Sequence, residues 1–142
     1  SVTNFIMACD EAIIVLTPEP TAIMDAYSLI KYLYNQDYRD KVGIVINQIN
    51  SRKEGTDVAS RMKNVIRKYL SMDIEVLGFI PYDRYVKQSV KEQTPFIIQY
   101  PNSKAVQALK DIAGKMLDKA EESEGRGMKS FFYRVVGIFG GE

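Results

Sequence analysis

Ala12-Ile13-Ile14-Val15-Leu16-Thr17, Val42-Gly43-Ile44-Val45-Ile46-Asn47 and Ile74-Glu75-Val76-Leu77-Gly78-Phe79-Ile80-Pro81 are three short apolar runs, each ending at a polar or ring-locked residue. Their length and their β-branched content predict buried strands. Between them the apolar period lengthens to that of a helix. Ile23, Tyr27, Ile30, Leu33 and Tyr34 share one helical face, and Val58, Met62, Val65, Ile66 and Tyr69 share another. Two β-α-β units follow, and near-continuous apolar strands alternating with amphipathic helices imply an α/β fold: a parallel sheet covered on both faces. Thr21 after Pro20 is the expected start of the first helix, and Glu54-Gly55-Thr56-Asp57 the acidic first turn of the second.

Outward from this centre the pattern is plainer. A short helical stretch from about Arg84 to Glu92 follows Tyr82-Asp83. Thr94-Pro95-Phe96 and Tyr100-Pro101-Asn102-Ser103 then lead into a longer helix burying Val106, Leu109, Ile112, Ala113, Met116, Leu117 and Ala120. Glu121 to Gly127 is polar and broken by glycine, which predicts a linker over 123–127 between a body at 1–122 and a last segment at 128–142. Ser1 to Cys9 reads as the end of a helix feeding the first strand, with no initiator Met. Three strands are few for a doubly wound sheet, so the chain reads as a partial fold, a piece of something larger.

Composition narrows the chemistry. The chain has 142 residues, 46% apolar and 26% charged, enough apolar mass for one real core, so disorder is excluded. A net charge of +1 gives no sign of a nucleic-acid binder. The absence of His removes His-based acid–base and nucleophile systems, and the single Cys9 forms neither an internal disulfide nor a paired metal site. A reduced, cytoplasmic setting is expected. No apolar stretch approaches the roughly 18 residues of a spanning helix, and the N-terminus lacks a signal pattern.

In open parallel sheets ligands bind beyond the carboxyl ends of the strands, which directs attention to Thr17–Thr21, Asn47-Gln48 and Pro81-Tyr82-Asp83. The Asn47 carboxamide both donates and accepts, as the N6 and N7 edge of adenine requires, although an Asn in such a loop also bonds its own backbone. Pro81 either walls a planar base or simply ends a strand. No glycine-rich phosphate loop follows any strand, so this chain by itself is expected to hold no triphosphate and to hydrolyse none. Asp10 and Glu11 point to opposite sides of a strand start and are read as solvated rather than as a metal or acid–base pair.

Met128, Phe131, Phe132, Val135, Val136 and Phe139 form a single helical stripe, with Lys129 and Arg134 elsewhere on the wheel. Such a segment suits the headgroup boundary of an anionic membrane, and the same stripe also suits docking as a last core helix. One copy would bind membrane weakly, and two copies on a dimer would bind by effective concentration.

The run Thr17-Pro18-Glu19-Pro20-Thr21-Ala22-Ile23-Met24-Asp25-Ala26-Tyr27-Ser28-Leu29-Ile30-Lys31 resembles MinD/ParA-type ATPases, specifically the FlhG branch that controls flagellar number and placement. So do Val45-Ile46-Asn47-Gln48, Leu77-Gly78-Phe79-Ile80-Pro81-Tyr82-Asp83, Val90-Lys91-Glu92-Gln93-Thr94-Pro95-Phe96 and Tyr100-Pro101-Asn102-Ser103-Lys104-Ala105. The resemblance covers essentially the whole chain and implies a partial P-loop NTPase fold with Asn47, Pro81, Tyr82 and Asp83 around an adenine base. It also implies a terminal membrane-targeting helix. ATP with Mg²⁺ is the implied cofactor of the intact protein, which would dimerise when ATP-bound, bind the inner face of the cell membrane and recruit flagellar regulatory or assembly proteins. Asp25, Ser28 and Tyr32 on the first helix are the candidate partner contacts. The family's P-loop and its Asp-x-Gly-Ala-Gly switch are not in this sequence. The alternative, of another class, is a non-catalytic α/β interaction module docking through the Thr21–Asn35 helix. A receiver-like domain is disfavoured, since no strand-end phosphoacceptor Asp with an acidic pair is present.

Overall fold

The apolar runs are strands β1 (Glu11–Leu16), β2 (Lys41–Ile49) and β3 (Glu75–Pro81), all parallel and side by side in chain order in a computed structural model that describes residues 2–122 and Val136. The described chain divides into two compact units, Ser1–Tyr82 and Asp83–Glu142.

In the first unit a short helix α1 (Val2–Met7) enters β1, and helices α2 (Pro20–Asn35) and α3 (Arg52–Leu70) connect the strands. Ala12 pairs with Val42 and Leu16 with Ile46 across the first ladder, and Ile44 sits between Ile14 and Val76. These side chains form one apolar layer with Ala26, Ile30 and Leu33 of α2 and Val58, Met62 and Ile66 of α3. Burial follows position in the sheet. The central strand is buried on both faces from Val42 to Ile46, whereas Ile13 and Val15 on the edge strand β1 remain 42% and 58% exposed. Gly43 belongs to that second face because a Cβ there would come within 2.6 Å of Leu77 Cδ1.

The helix ends differ in detail from the sequence pattern. α2 begins one residue before Thr21, at Pro20, whose fixed φ suits the first helical position, and Glu19 before it makes no side-chain cap bond. α3 begins at Arg52. Ser51 Oγ accepts from Glu54 N at 3.1 Å while Glu54 Oε2 accepts from Asn50 N at 2.7 Å, a reciprocal closure related to a capping box. The buried stripe of α3 steps by four through Val58, Met62, Ile66 and Leu70, so Val65 and Tyr69, expected inside, stand to one side and are exposed. The first turn of α3 approaches β3 closely at Gly55, where a Cβ would meet the Phe79 ring at 2.7 Å.

The second unit holds α4 (Arg84–Lys91), the single turn α5 (Phe96–Gln99) and α6 (Lys104–Glu122). α5 was not expected from the sequence: four residues carry no period, and Pro95 reads as punctuation. Glu92 gathers this region, accepting from Gln88 Nε2 at 2.6 Å, from Gln99 Nε2 and from the Tyr100 hydroxyl at 3.1 Å, with the Tyr85 and Tyr100 rings 4.6 Å apart. α6 buries Ala105, Val106, Ile112 and Ala120, while Leu109, Ala113, Met116 and Leu117 are half-buried. The 123–127 linker and the stripe residues Met128, Phe131, Phe132, Val135 and Phe139, with Lys129 and Arg134, lie outside the described residues; Val136 is helical and 42% exposed. Among the described residues no helix is long and apolar enough to cross a membrane.

Candidate functional site

The carboxyl ends of β1, β2 and β3 meet around a crevice of about 240 Å³ lined by Thr17, Pro18, Glu19, Gln48, Asn50, Glu54 and Tyr82. Its floor comes from an irregularity in β2. The strand does not stop at Asn47: the ladder breaks after Ile46 and resumes at Ile49 opposite Pro81, and Tyr82 N donates to Ile49 O at 2.9 Å. Asn47 and Gln48 therefore bow out of the ladder as a bulge, a common device for re-aiming side chains beside sites. Gln48 takes a left-handed φ of 57°, and the Asn47 Oδ1 accepts its N–H at 2.9 Å. That bond favours the conformation at a residue where a side chain is ordinarily strained.

Of the residues expected from sequence, Tyr82 lines the crevice and is 54% exposed. Asn47 is half-buried and Pro81 is the half-buried last residue of β3, and neither is among the residues that line the crevice. Asp83 is engaged within the second unit. Its Oδ1 accepts from Tyr85 N at 3.0 Å, capping α4, and its Oδ2 accepts from Ala105 N at 3.0 Å in the first turn of α6. Burial alone would raise the Asp83 pKa, but the Ala105 and Tyr85 amides, the Ser103 hydroxyl and the Lys104 ammonium outweigh it, and the carboxyl is held below its ordinary value. Asn50 is not among the residues expected from sequence, and Glu54 is expected only as part of the first turn of the second helix. The Ser51-x-x-Glu54 spacing after a strand was the signal that could have found them.

The lining has two amides, a hydroxyl, a phenol and two carboxylates, and no Lys or Arg. Glu19 Oε2 accepts from Thr17 Oγ1 at 3.4 Å and Glu54 is tied to Asn50 N. An acceptor-rich crevice with an exposed ring suits a neutral, planar, hydrogen-bonding group and repels polyphosphate. Adenine fits this description. The phosphates of a nucleotide do not, and among the described residues no three or more Cys, Asp or Glu side chains are grouped so as to hold a metal ion.

Asp25, Ser28 and Tyr32 are exposed on α2, with Ser28 Oγ donating back to Met24 O at 2.8 Å. Beside them a groove of about 600 Å³ runs between the first halves of α2 and α3.

The three-stranded parallel sheet flanked by helices, with a crevice at its strand carboxyl ends, is part of an open α/β fold. No protein-family model matches the chain. It is 33% identical over 132 residues to the antiactivator FleN of Pseudomonas aeruginosa and 33% identical over 141 residues to the flagellum site-determining protein YlxH of Helicobacter pylori. These matches cover 93% and 96% of the chain but 47% of each relative, so the chain spans about half the length of the curated relatives it matches. In fold it is similar to the cell division protein MinD of Aquifex aeolicus, with a TM-score of 0.63 at 22% identity over 80% of this chain and 46% of that one. A TM-score of 0.53 at 23% identity relates it to Pyrococcus horikoshii MinD solved with Mg-ADP, covering 84% of this chain and 44% of that one. Over nearly its whole length the chain is therefore similar to about half of the flagellar proteins FleN and YlxH, and in fold to about half of MinD.

Proposed function

We propose that the chain supplies the base-binding and partner-facing part of a MinD/FlhG-type ATPase that controls flagellar number and placement. The observation that carries this reading is the strand-end crevice, which offers amides and an aromatic ring without cations, the chemistry of a base site rather than a phosphate site. In the intact protein a P-loop segment would hold the phosphates and Mg²⁺, and ATP would drive dimerisation. This chain's own residues would position the base: Tyr82 in the crevice lining would flank its ring, Pro81 would border it at the adjoining end of β3, Asn47 would reach its hydrogen-bonding edge with the amide nitrogen that the Gln48 bond leaves unused, and Asp83 holds its own loop through bonds to the starts of α4 and α6. In the protein carrying both halves, Asn47→Ala is expected to weaken ATP binding by about 1–3 kcal/mol, measured calorimetrically, because polar atoms of the base are left unpaired. Unchanged affinity in a folded variant would return Asn47 to a purely structural role.

The membrane is the second surface in this proposal, through the stripe at 128–142 on the inner face of the cell membrane, and flagellar regulatory or assembly proteins are the partners of α2. Phe132→Glu places a charge within the stripe, and binding to vesicles of anionic lipid is expected to fall sharply while the α/β body stays folded. Retained vesicle binding with a lowered melting temperature would show a docked core helix instead.

A further inference from the structure

Helix α4 turns a row of cations outward. Arg84, Lys87 and Lys91 stand three and four residues apart, the spacing that places side chains on one helix face, and all three are exposed. Like charges at these steps repel and weaken a helix. Among the described residues neither Lys87 nor Lys91 makes an ion pair, and Arg84 stacks over the Tyr85 ring at 5.0 Å. The carboxylates at the two ends of the helix are engaged elsewhere: Asp83 accepts from Tyr85 N and Ala105 N, and Glu92 accepts from Gln88, Gln99 and Tyr100. Exposed apolar side chains accompany the row. Val90, one turn on from Lys87, is 72% exposed, and Ile98, on the turn that Glu92 ties to α4 through Gln99, is 59% exposed. A helix ridge is convex, so it suits a broad surface rather than a peptide or small anion, which would need a concave site. Cations interleaved with exposed aliphatics match an acidic bilayer, where charge lies over an apolar layer; nucleic acid offers Val90 and Ile98 no such layer.

We propose that α4 is a membrane contact of the folded body: Arg84, Lys87 and Lys91 meet the phosphates of anionic lipids while Val90 and Ile98 enter the headgroup boundary. This rests on the reading that the chain meets an anionic membrane, and it adds to the stripe at 128–142 a contact made by the body itself. The cations make binding depend on lipid charge. Because Asp83 holds α4 at one end and Glu92 at the other, the contact fixes which face of the second unit meets the bilayer. Two weak contacts on one chain reinforce each other through effective concentration.

The test uses the whole 142-residue chain in co-sedimentation with two kinds of vesicle, pure phosphatidylcholine and phosphatidylcholine with about one-third phosphatidylglycerol. Lys87→Ala/Lys91→Ala is expected to weaken binding to the acidic vesicles about tenfold and to leave binding to the neutral ones unchanged, and Val90→Ser to weaken acidic binding about threefold. The control Lys63→Ala/Lys68→Ala removes the same charge from α3 and should change binding less than about twofold. All five positions are exposed, so circular dichroism should be unchanged. Indifference of the wild type to phosphatidylglycerol, full acidic binding by Lys87→Ala/Lys91→Ala, or an equal loss in the α3 control would each overturn the proposal. Phe132→Glu separates the two membrane contacts. If it abolishes binding while the α4 variant binds normally, the stripe stands and the α4 contact is rejected; if the α4 variant loses binding and Phe132→Glu does not, the α4 contact stands and the stripe fails. Tighter binding of the wild type to duplex DNA than to acidic vesicles, lost in the α4 variant, would assign the ridge to nucleic acid and overturn the proposal as well.

Discussion

Ile44→Ala is expected to cost about 2–5 kcal/mol, a large share of the roughly 5–15 kcal/mol that holds an ordinary domain together. Ile44 is completely buried on the central strand, between Ile14 and Val76 across the two ladders and in one cluster with Ile30, Leu33, Met62 and Ile66. Both sheet neighbours and both covering helices are anchored elsewhere, so the surroundings cannot collapse fully into the space of the lost carbons. In urea the midpoint should fall with little change in slope. The exposed Val65→Ala serves as the contrast and should change stability by no more than about 0.5 kcal/mol. A loss below 1 kcal/mol for Ile44→Ala would mean that the layer between sheet and helices is looser than its burial indicates.

Asp83→Ala removes one carboxylate from the starts of two helices. The charged acceptor serves Tyr85 N and Ala105 N at 3.0 Å each, and losing both is expected to destabilise the second unit by about 2–4 kcal/mol. The amide protons of Tyr85 and Ala105 should lose exchange protection together. The effect depends on pH in a defined direction. Folding lowers the Asp83 pKa, so its contribution is complete above the unfolded value of about 3.9 and is lost as pH falls through the lower folded value. Stabilities of the wild type and the variant should therefore converge on acidification below about pH 4. A difference that persists in strong acid would trace the loss to something other than the carboxylate.

The three strands and the helices between them were legible because apolar period is a local property: six to eight residues suffice for a strand, and Ile23 to Tyr34 for a helix face. What was not legible depended on partners distant in sequence. The bulge at Asn47-Gln48 looks like a strand end until Ile49 is seen to rejoin the ladder opposite Pro81. Val65 and Tyr69 match the helical period but fall beside the stripe that β2 and β3 cover, and only the sheet determines which side is inward. The site was half visible. Tyr82 and the Thr17 turn followed from the rule that ligands sit past strand ends, whereas Asn50 and Glu54 enter the crevice through the cap of α3. Asp83 is expected beside the base from the family resemblance of its place after β3, and the structure shows its carboxylate bonded to Tyr85 N and Ala105 N. Its bond to Ala105, twenty-two residues on, has no local signature.

The strands of the first unit lie in the order in which they are made. Ala12 finds Val42 thirty residues later, and Ile44 finds Val76 thirty-two residues later, so no strand waits for anything beyond its immediate successor. On the ribosome, at about 5–20 residues per second, β1, α2 and β2 can close well before β3 has emerged. For about 2–6 seconds the free edge of the growing sheet is then β2 itself, the most buried strand among the described residues, bare on the side that β3 will occupy. The nascent chain is most exposed to intermolecular strand pairing in that interval, and arrival of Glu75–Pro81 closes it.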